Sequence, residues 1–183
     1  MANHKKSPLG VPLEPPDHAI GRSRGGLSTK VHQLCDGKGR PLVCLLGPGN
    51  GGDSPMLALM LEHLRVARRG PGRPRTRPQR LIADSAYSSR ANRQMMSARH
   101  IKVVIPERAN HAANRKRKGS LGGRPPGFDA QAYRGRNVVE RWFNQAKQWR
   151  GIATRYDKLA LTYRGAVVLA AIITWAKVLR DTP

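Results

Sequence analysis

The first half of the chain combines two extended patterns with one helical pattern. Residues 27–35 have a strand-like pattern, a DGKG turn follows, and residues 41–46 form a continuous apolar run that suits a buried strand. After a glycine-rich loop, Asp53 or Ser54 can cap a helix that ends near residue 68. The pattern therefore predicts a β-hairpin followed by a helix.

The second half alternates strands with helices. Short apolar runs predict strands at residues 81–83 and 102–106. Longer amphipathic runs predict helices at residues 88–99, from residue 137 onward and at residues 162–180. The first of these strands ends at Asp84. Hairpin, helix, strand, helix, strand, helix is the element order of an α/β domain.

Proline, glycine and arginine mark the segments between these elements. Residues 1–16 contain four prolines and no periodicity, while residues 68–80 and 108–128 are basic stretches in which we expect neither helix nor strand. We therefore expect a proline-rich linker or tail over residues 1–20 and one domain over residues 21–180.

The segment YRGRNVVERWFNQAK, residues 133–147, presents two different faces once it is helical. One narrow sector carries polar residues and a wider one carries apolar residues that can bury, namely Arg136, Glu140, Asn144 and Lys147 on the first and Val139, Trp142, Phe143, Ala146 and Trp149 on the second. A plain surface helix with an Arg136–Glu140 pair would explain the same spacing, and such a pair adds only about 0.2–0.5 kcal/mol.

The charge balance predicts a polyanionic partner. Thirty-four Lys and Arg against 11 Asp and Glu give a net charge of +23, which favours nucleic acid and leaves an anionic membrane or ribosomal RNA as alternatives. The longest apolar run, residues 166–176, is short of the roughly 20 residues of a bilayer span, and the N-terminus has no signal-peptide pattern. Cys35 and Cys44 are expected to be reduced thiols, since a zinc site would need further ligands.

Two motifs carry a resemblance to a known family. Tyr133, Arg136, Glu140 and Lys147 fill every place of a motif that resembles the C-terminal signature of DDE transposases of bacterial insertion sequences. LIADSAYSS, residues 81–89, resembles the block with the middle catalytic aspartate, and residues 17–32 and 154–167 also resemble the insertion sequence 5 family. The resemblance extends over residues 17–179.

This resemblance implies an RNase H-like mixed sheet with flanking helices. Asp84 and Glu140 would be the second and third catalytic acids and would hold Mg²⁺ or Mn²⁺. Arg136 and Lys147 would contact phosphate or steady Glu140, and Tyr133 would support the helix or the DNA backbone. For Asp84 the alternative is a plain N-cap of the helix that follows.

The block with the family's first aspartate has no counterpart in the sequence. In the family it lies on a central strand, between the strands that correspond to residues 27–35 and 81–84. We therefore expect a partial domain from an N-terminally truncated transposase that is inactive alone and of low stability, or that depends on a partner for this strand. The alternatives are an inactive DNA-binding fragment and an unrelated metal-dependent nuclease or RNA-binding protein.

Double-stranded DNA, as element ends and target, is the expected partner in the cytoplasm, where the protein would associate with the nucleoid and not with a membrane. The upstream half of the transposase or the full-length enzyme is a second possible partner. Binding should be electrostatic and non-specific because the charges cluster in two stretches without base-reading elements, at Arg68, Arg69, Arg73, Arg75 and Arg77, and at Arg115, Lys116, Arg117 and Lys118.

Overall fold

The computed structural model describes residues 13–68 and 70–180, with the backbone alone at residues 179 and 180. Two compact units divide this part of the chain. The first unit is built from the described residues up to Gly52 and from Val138 onward, and the second from residues 53–137. The chain thus leaves the first unit after the hairpin and returns to it inside the motif helix. Strands and helices together give a mixed α/β architecture.

The first unit begins with an antiparallel sheet whose strands follow one another in the order β1-β2-β3. The strands are β1 (Gly21–Ser23), β2 (Gly26–Cys35) and β3 (Pro41–Pro48). In the hairpin of β2 and β3, Val31 pairs with Leu46 and Gln33 with Cys44. Asp36 closes the turn, because its side chain accepts hydrogen bonds from the amides of Lys38 and Arg40. The predicted hairpin is confirmed, and β3 is two residues longer than expected.

The second unit contains a βαβ arrangement. Its elements are α1 (Met56–His63), β4 (Arg80–Ile82), α2 (Arg90–Ala98), β5 (Lys102–Val104), α3 (Ala109–Arg117) and α4 (Ala130–Tyr133). Strands β4 and β5 are parallel, with Leu81 opposite Val103. The side chains of Leu57, Met60, Met96 and Ile105 are fully buried. The predicted order of strands and helices is therefore confirmed in this unit.

Three local expectations about the second unit are wrong. Helix α1 ends at His63 and follows Pro55 without a side-chain cap, so neither Asp53 nor Ser54 caps it. The stretch 108–128 is not a loop throughout, because residues 109–117 contain neither proline nor glycine and form α3. In the other basic stretch, the described residues before β4 form neither helix nor strand, as expected, although Arg75 makes an isolated antiparallel bridge with Val66 through hydrogen bonds of 2.9 and 2.8 Å.

The return to the first unit adds three helices, α5 (Asn137–Ala146), α6 (Arg150–Ala153) and α7 (Ala160–Arg180). Trp142 and Ala146 enter the core with residues of β3 and α7, as the helical pattern predicts. Trp149 lies beyond the end of α5 and is 41% exposed, so its expected place on the buried face is wrong. The 3₁₀-like hydrogen bonds of residues 148 and 149 end the helix early.

Helix α7 begins two residues earlier than predicted. Its stretch Ala160–Val178 has a mean hydropathy of 1.3 and is long and apolar enough to cross a membrane, contrary to our expectation from the uninterrupted apolar run alone. Tyr163, Val167 and Ala170 on this helix are buried in the core of the unit. Length and composition are therefore weak evidence of a membrane span, because core helices meet the same criteria.

Candidate active site and DNA-binding surface

Asp84 lies at the carboxyl end of β4, where a parallel pair of strands presents side chains at its edge. Its carboxylate Oδ1 accepts a hydrogen bond of 2.8 Å from the amide of Ala86 and so caps the 3₁₀ turn Ser85–Tyr87. The helix that follows, α2, is capped by Ser89 and not by Asp84, so the alternative of an N-cap for that helix is wrong. The Ala86 amide engages Oδ1 of the Asp84 carboxylate.

The turn after Asp84 is held by two side chains whose roles were not foreseen. Arg108 donates to the carbonyls of Ser85 and Ala86 over 2.8 and 3.0 Å. Asn92 is 7% exposed, and its amide donates to the Tyr87 carbonyl and to Ser54 Oγ over 3.1 and 3.0 Å. A polar residue inside the apolar pattern of α2 was the available signal for Asn92.

Tyr87 shows how the environment of this turn disfavours further negative charge. Burial raises the pKa of its phenol well above the ordinary range, and the negative charges of Asp53 and Asp84 raise it further. Tyr87 is therefore a neutral hydrogen-bonding group at any physiological pH. Asp53, at the start of the second unit, is thus a second carboxylate in the electrostatic surroundings of Tyr87.

Tyr133 and Arg136 lie in the second unit, just before α5. Tyr133 is the last residue of α4, whose first turn is capped by Asp129. The guanidinium of Arg136, in the 3₁₀ turn Arg134–Arg136, lies 5.7 Å from the Tyr133 ring centroid, and the Phe128 ring meets Tyr133 edge-on at 5.2 Å. Phe128 and Arg136 therefore both contact the ring of Tyr133, the first residue of the motif.

Glu140 and Lys147 lie in the first unit and are exposed. Glu140 is in the first turn of α5, where the helix dipole favours a carboxylate. The amide of Lys147 donates to the Phe143 carbonyl over 2.9 Å, which extends the helical bonding one residue beyond Ala146. Lys147 therefore stays two turns from Glu140 on the same side of the helix. The convergence of Asp84 with Glu140 stays a prediction.

The basic residues of the two clusters differ in how available they are. Arg68, Arg73, Arg75 and Arg77 are exposed, whereas Arg69 lies outside the described residues. In the other cluster, Arg115 is engaged by both carboxylate oxygens of Glu107, at 3.2 and 2.9 Å. Lys116, Arg117 and Lys118 are exposed at the end of α3. Arg115 is thus the least available of the described residues of the two clusters for a phosphate.

Arg155 connects two segments of the first unit that are far apart in sequence. It is 8% exposed, and its guanidinium donates to the carbonyls of Ala19 and Lys158 at 3.0 Å each, to that of Asp157 at 3.3 Å and to that of His18. The guanidinium also lies 5.1 Å from the Tyr163 ring centroid. This residue joins the segment before β1 to the segment before α7, which sequence reasoning did not identify.

Comparison with known proteins identifies the family of the chain. Residues 6–175 match the family described as "Transposase DDE domain". Over 156 residues the chain is 30% identical to the "Putative transposase for insertion sequence element IS6501" of Brucella ovis, an alignment that covers 82% of this chain and 100% of that protein. No solved structure matches the chain significantly. The chain belongs to the family of DDE transposases of insertion sequences.

Proposed function

We propose that this chain supplies the second and third acids, Asp84 and Glu140, of a metal-dependent DNA strand-transfer site in an RNase H-like domain. Family membership supports a role in DNA transposition. The observation that carries the finer proposal is the position of Asp84 two residues beyond the carboxyl end of β4, which pairs with the parallel strand β5. This position suits a reactive carboxylate at the edge of a sheet.

The chemistry of the proposed site depends on carboxylate oxygens. Divalent cations held by Asp84 and Glu140 would neutralise charge on the scissile phosphate and activate a water or a 3′-hydroxyl. The turn that carries Asp84 is braced by Arg108, which limits movement of the carboxylate. Lys147 and Arg136 bring positive charge to the DNA backbone or orient Glu140.

A third acid completes this site. The described residues contain no group of three or more His, Cys, Asp or Glu side chains that could hold a metal ion. Two carboxylates leave most positions around a divalent cation to water and substrate phosphate. We propose that a partner chain, such as a full-length transposase, supplies the third acid. The active enzyme forms when that partner and this chain combine.

Metal binding tests whether Asp84 and Glu140 act together. We expect Asp84→Asn and Glu140→Gln each to weaken Mn²⁺ binding about tenfold or more, measured by titration in the presence of duplex DNA, because each removes a charged ligand. Asp129→Asn is the matched control for Asp84, since Asp129 caps α4 in the same manner, and Glu62→Gln controls for Glu140. Asparagine keeps the cap at residue 84, so the turn survives.

The outcome separates the two acids. If Asp84→Asn weakens Mn²⁺ binding and Glu140→Gln does not, the two carboxylates do not share a metal site. If neither variant differs from its control, the metal-dependent reading of this chain fails. Carboxylates that share two bridged metal ions lie within about 8 Å of one another, a distance that spin labels at residues 84 and 140 can check.

We also propose that the exposed arginines of residues 68–77 bind the phosphate backbone without reading sequence. Each neutralised phosphate contributes about −0.9 to the slope of log affinity against log salt. Replacement of Arg68, Arg73, Arg75 and Arg77 with glutamine should therefore reduce that slope by about 3.6. Between 50 and 200 mM salt, the affinity of the unmodified chain should therefore fall by a factor roughly 150 times larger than the affinity of the variant.

Fluorescence anisotropy with random duplex DNA measures this slope. The matched control removes the same charge from exposed arginines of the first unit, namely Arg22, Arg24, Arg141 and Arg150. Sequence-selective or salt-insensitive binding by the unmodified chain would contradict the proposal. An equal slope change in both variants would mean that net charge, and not this surface, determines binding.

An inactive DNA-binding module is the second candidate. The lack of a three-acid cluster among the described residues favours it. A nicking assay of supercoiled DNA with Mn²⁺ distinguishes the two: the chain alone should bind without cleaving, and addition of a full-length transposase as the partner that supplies the third acid should restore cleavage only for the active-site proposal. Cytoplasmic, nucleoid-associated action on DNA follows from either candidate.

A further inference from the structure

A cavity of about 240 Å³ lies between α5 and α7 in the first unit. Its lining includes Trp142 and Trp149 from α5 and the turn after it, and Ile173 and Lys177 from α7. The cavity is smaller than the roughly 300–1,000 Å³ of sites for drug-sized ligands, so it suits a single small planar group. No function has been assigned to it above.

The two indoles give this cavity a buried and a partly exposed aromatic surface. Trp142 is 4% exposed, and its Nε1 donates a 3.0 Å hydrogen bond to Thr174 Oγ1, so its ring is fixed. Trp149 follows the end of α5 and is 41% exposed. A flat group that enters the cavity can therefore bury the exposed part of Trp149, and base–indole stacking is favourable for any nucleobase.

The polar groups around the cavity favour a ligand that combines a hydrogen-bonding heterocycle with a negative charge. The exposed side chains of Gln145, Gln148 and Lys177 line it, and among the residues that the structure describes no acidic one does. Two amides can donate to and accept from the edge of a heterocycle, while the ammonium of Lys177 attracts an anion. A heterocycle attached to a phosphate satisfies both requirements.

We propose that this cavity binds an unstacked nucleobase of DNA, with a neighbouring phosphate at Lys177. The inference rests on the proposed function, since it takes DNA as the substrate. Residues 140 and 142 point about 160° apart around α5, so the cavity lies on the other side of the helix from Glu140. The bound base is therefore displaced from the scissile phosphate and anchors a flanking unpaired nucleotide.

The test compares a fully paired duplex with the same duplex carrying one bulged 2-aminopurine. The unmodified chain should bind the bulged duplex about tenfold more tightly and should quench the 2-aminopurine fluorescence on stacking. Trp149→Ala should remove this preference and leave the affinity for the paired duplex unchanged. Trp149→Phe should retain most of the preference, and Tyr156→Ala, which removes an exposed aromatic side chain outside the cavity, should behave as the unmodified chain.

The outcomes separate this inference from the proposed function. Binding of the paired duplex without any preference for the bulge would overturn the base pocket alone. A preference that persists in Trp149→Ala would place the base elsewhere and overturn it too. Failure to bind either duplex would overturn both the DNA-binding proposal and the pocket.

Discussion

Arg155 should be among the most sensitive positions of the first unit. Its guanidinium makes hydrogen bonds to four backbone carbonyls and lies over the Tyr163 ring, all within a residue that is 8% exposed. Burial lowers the pKa of this guanidinium, although arginine remains charged at neutral pH. Arg155→Met keeps much of the apolar volume and removes every one of these donors.

The expected loss can be worked out from these contacts. A hydrogen bond to a charged group contributes about 1.5–3 kcal/mol, so four bonds set an upper limit near 6–12 kcal/mol. His18, Asp157 and Lys158 are exposed, so water can replace the donor at their carbonyls, whereas Ala19 is buried. We therefore expect Arg155→Met to lower the free energy of unfolding by about 3–5 kcal/mol.

Urea unfolding followed by tryptophan fluorescence measures this loss in the appropriate part of the chain. Trp142, Trp149 and Trp175 all lie in the first unit, so the signal reports on the unit that contains Arg155. Arg150→Met is the control, because Arg150 is exposed at the start of α6. Arg155→Lys should be nearly as destabilising as Arg155→Met, since an ammonium cannot reach four carbonyls.

A result near the control would refute this account. If the free energies of unfolding of Arg155→Met and Arg150→Met differed by less than about 1 kcal/mol, the contacts of Arg155 would not stabilise the first unit. If Arg155→Lys were as stable as the unmodified chain, positive charge alone would be sufficient.

Two further predictions follow from the pKa shifts. Burial raises the pKa of the Cys44 thiol to about 11 and also raises that of Cys35, so both should react slowly with a thiol reagent at pH 8 and quickly in urea. Burial raises the pKa of Asp36, but hydrogen bonds from the Arg40 side chain and from the Arg40 and Lys38 amides outweigh it, so the net pKa is lowered. Asp36 therefore stabilises the fold above its unfolded pKa of about 4, and this stabilisation is lost as pH falls through the lower folded pKa. Asp36→Asn should reduce this dependence of stability on pH in acid titrations followed by circular dichroism.

The sequence by itself determined the order of elements and the family. Apolar periodicity is a local property, so it located the hairpin, β4 at Asp84 and the start of α5 at Asn137. The spacing of Tyr133, Arg136, Glu140 and Lys147 identified the transposase signature, because that motif is contained within 15 positions of one segment.

Only the tertiary structure decided how those elements are held together. The bonds of Arg155 to Ala19 and of Asn92 to Ser54 join residues 136 and 38 positions apart, and no pattern within one segment predicts them. The last residue of a helix also depends on local backbone hydrogen bonds and packing. At the end of α5 these bonds place Trp149 in the wall of a cavity. Periodicity reports which side of an element is apolar, whereas packing between distant segments determines what that side meets.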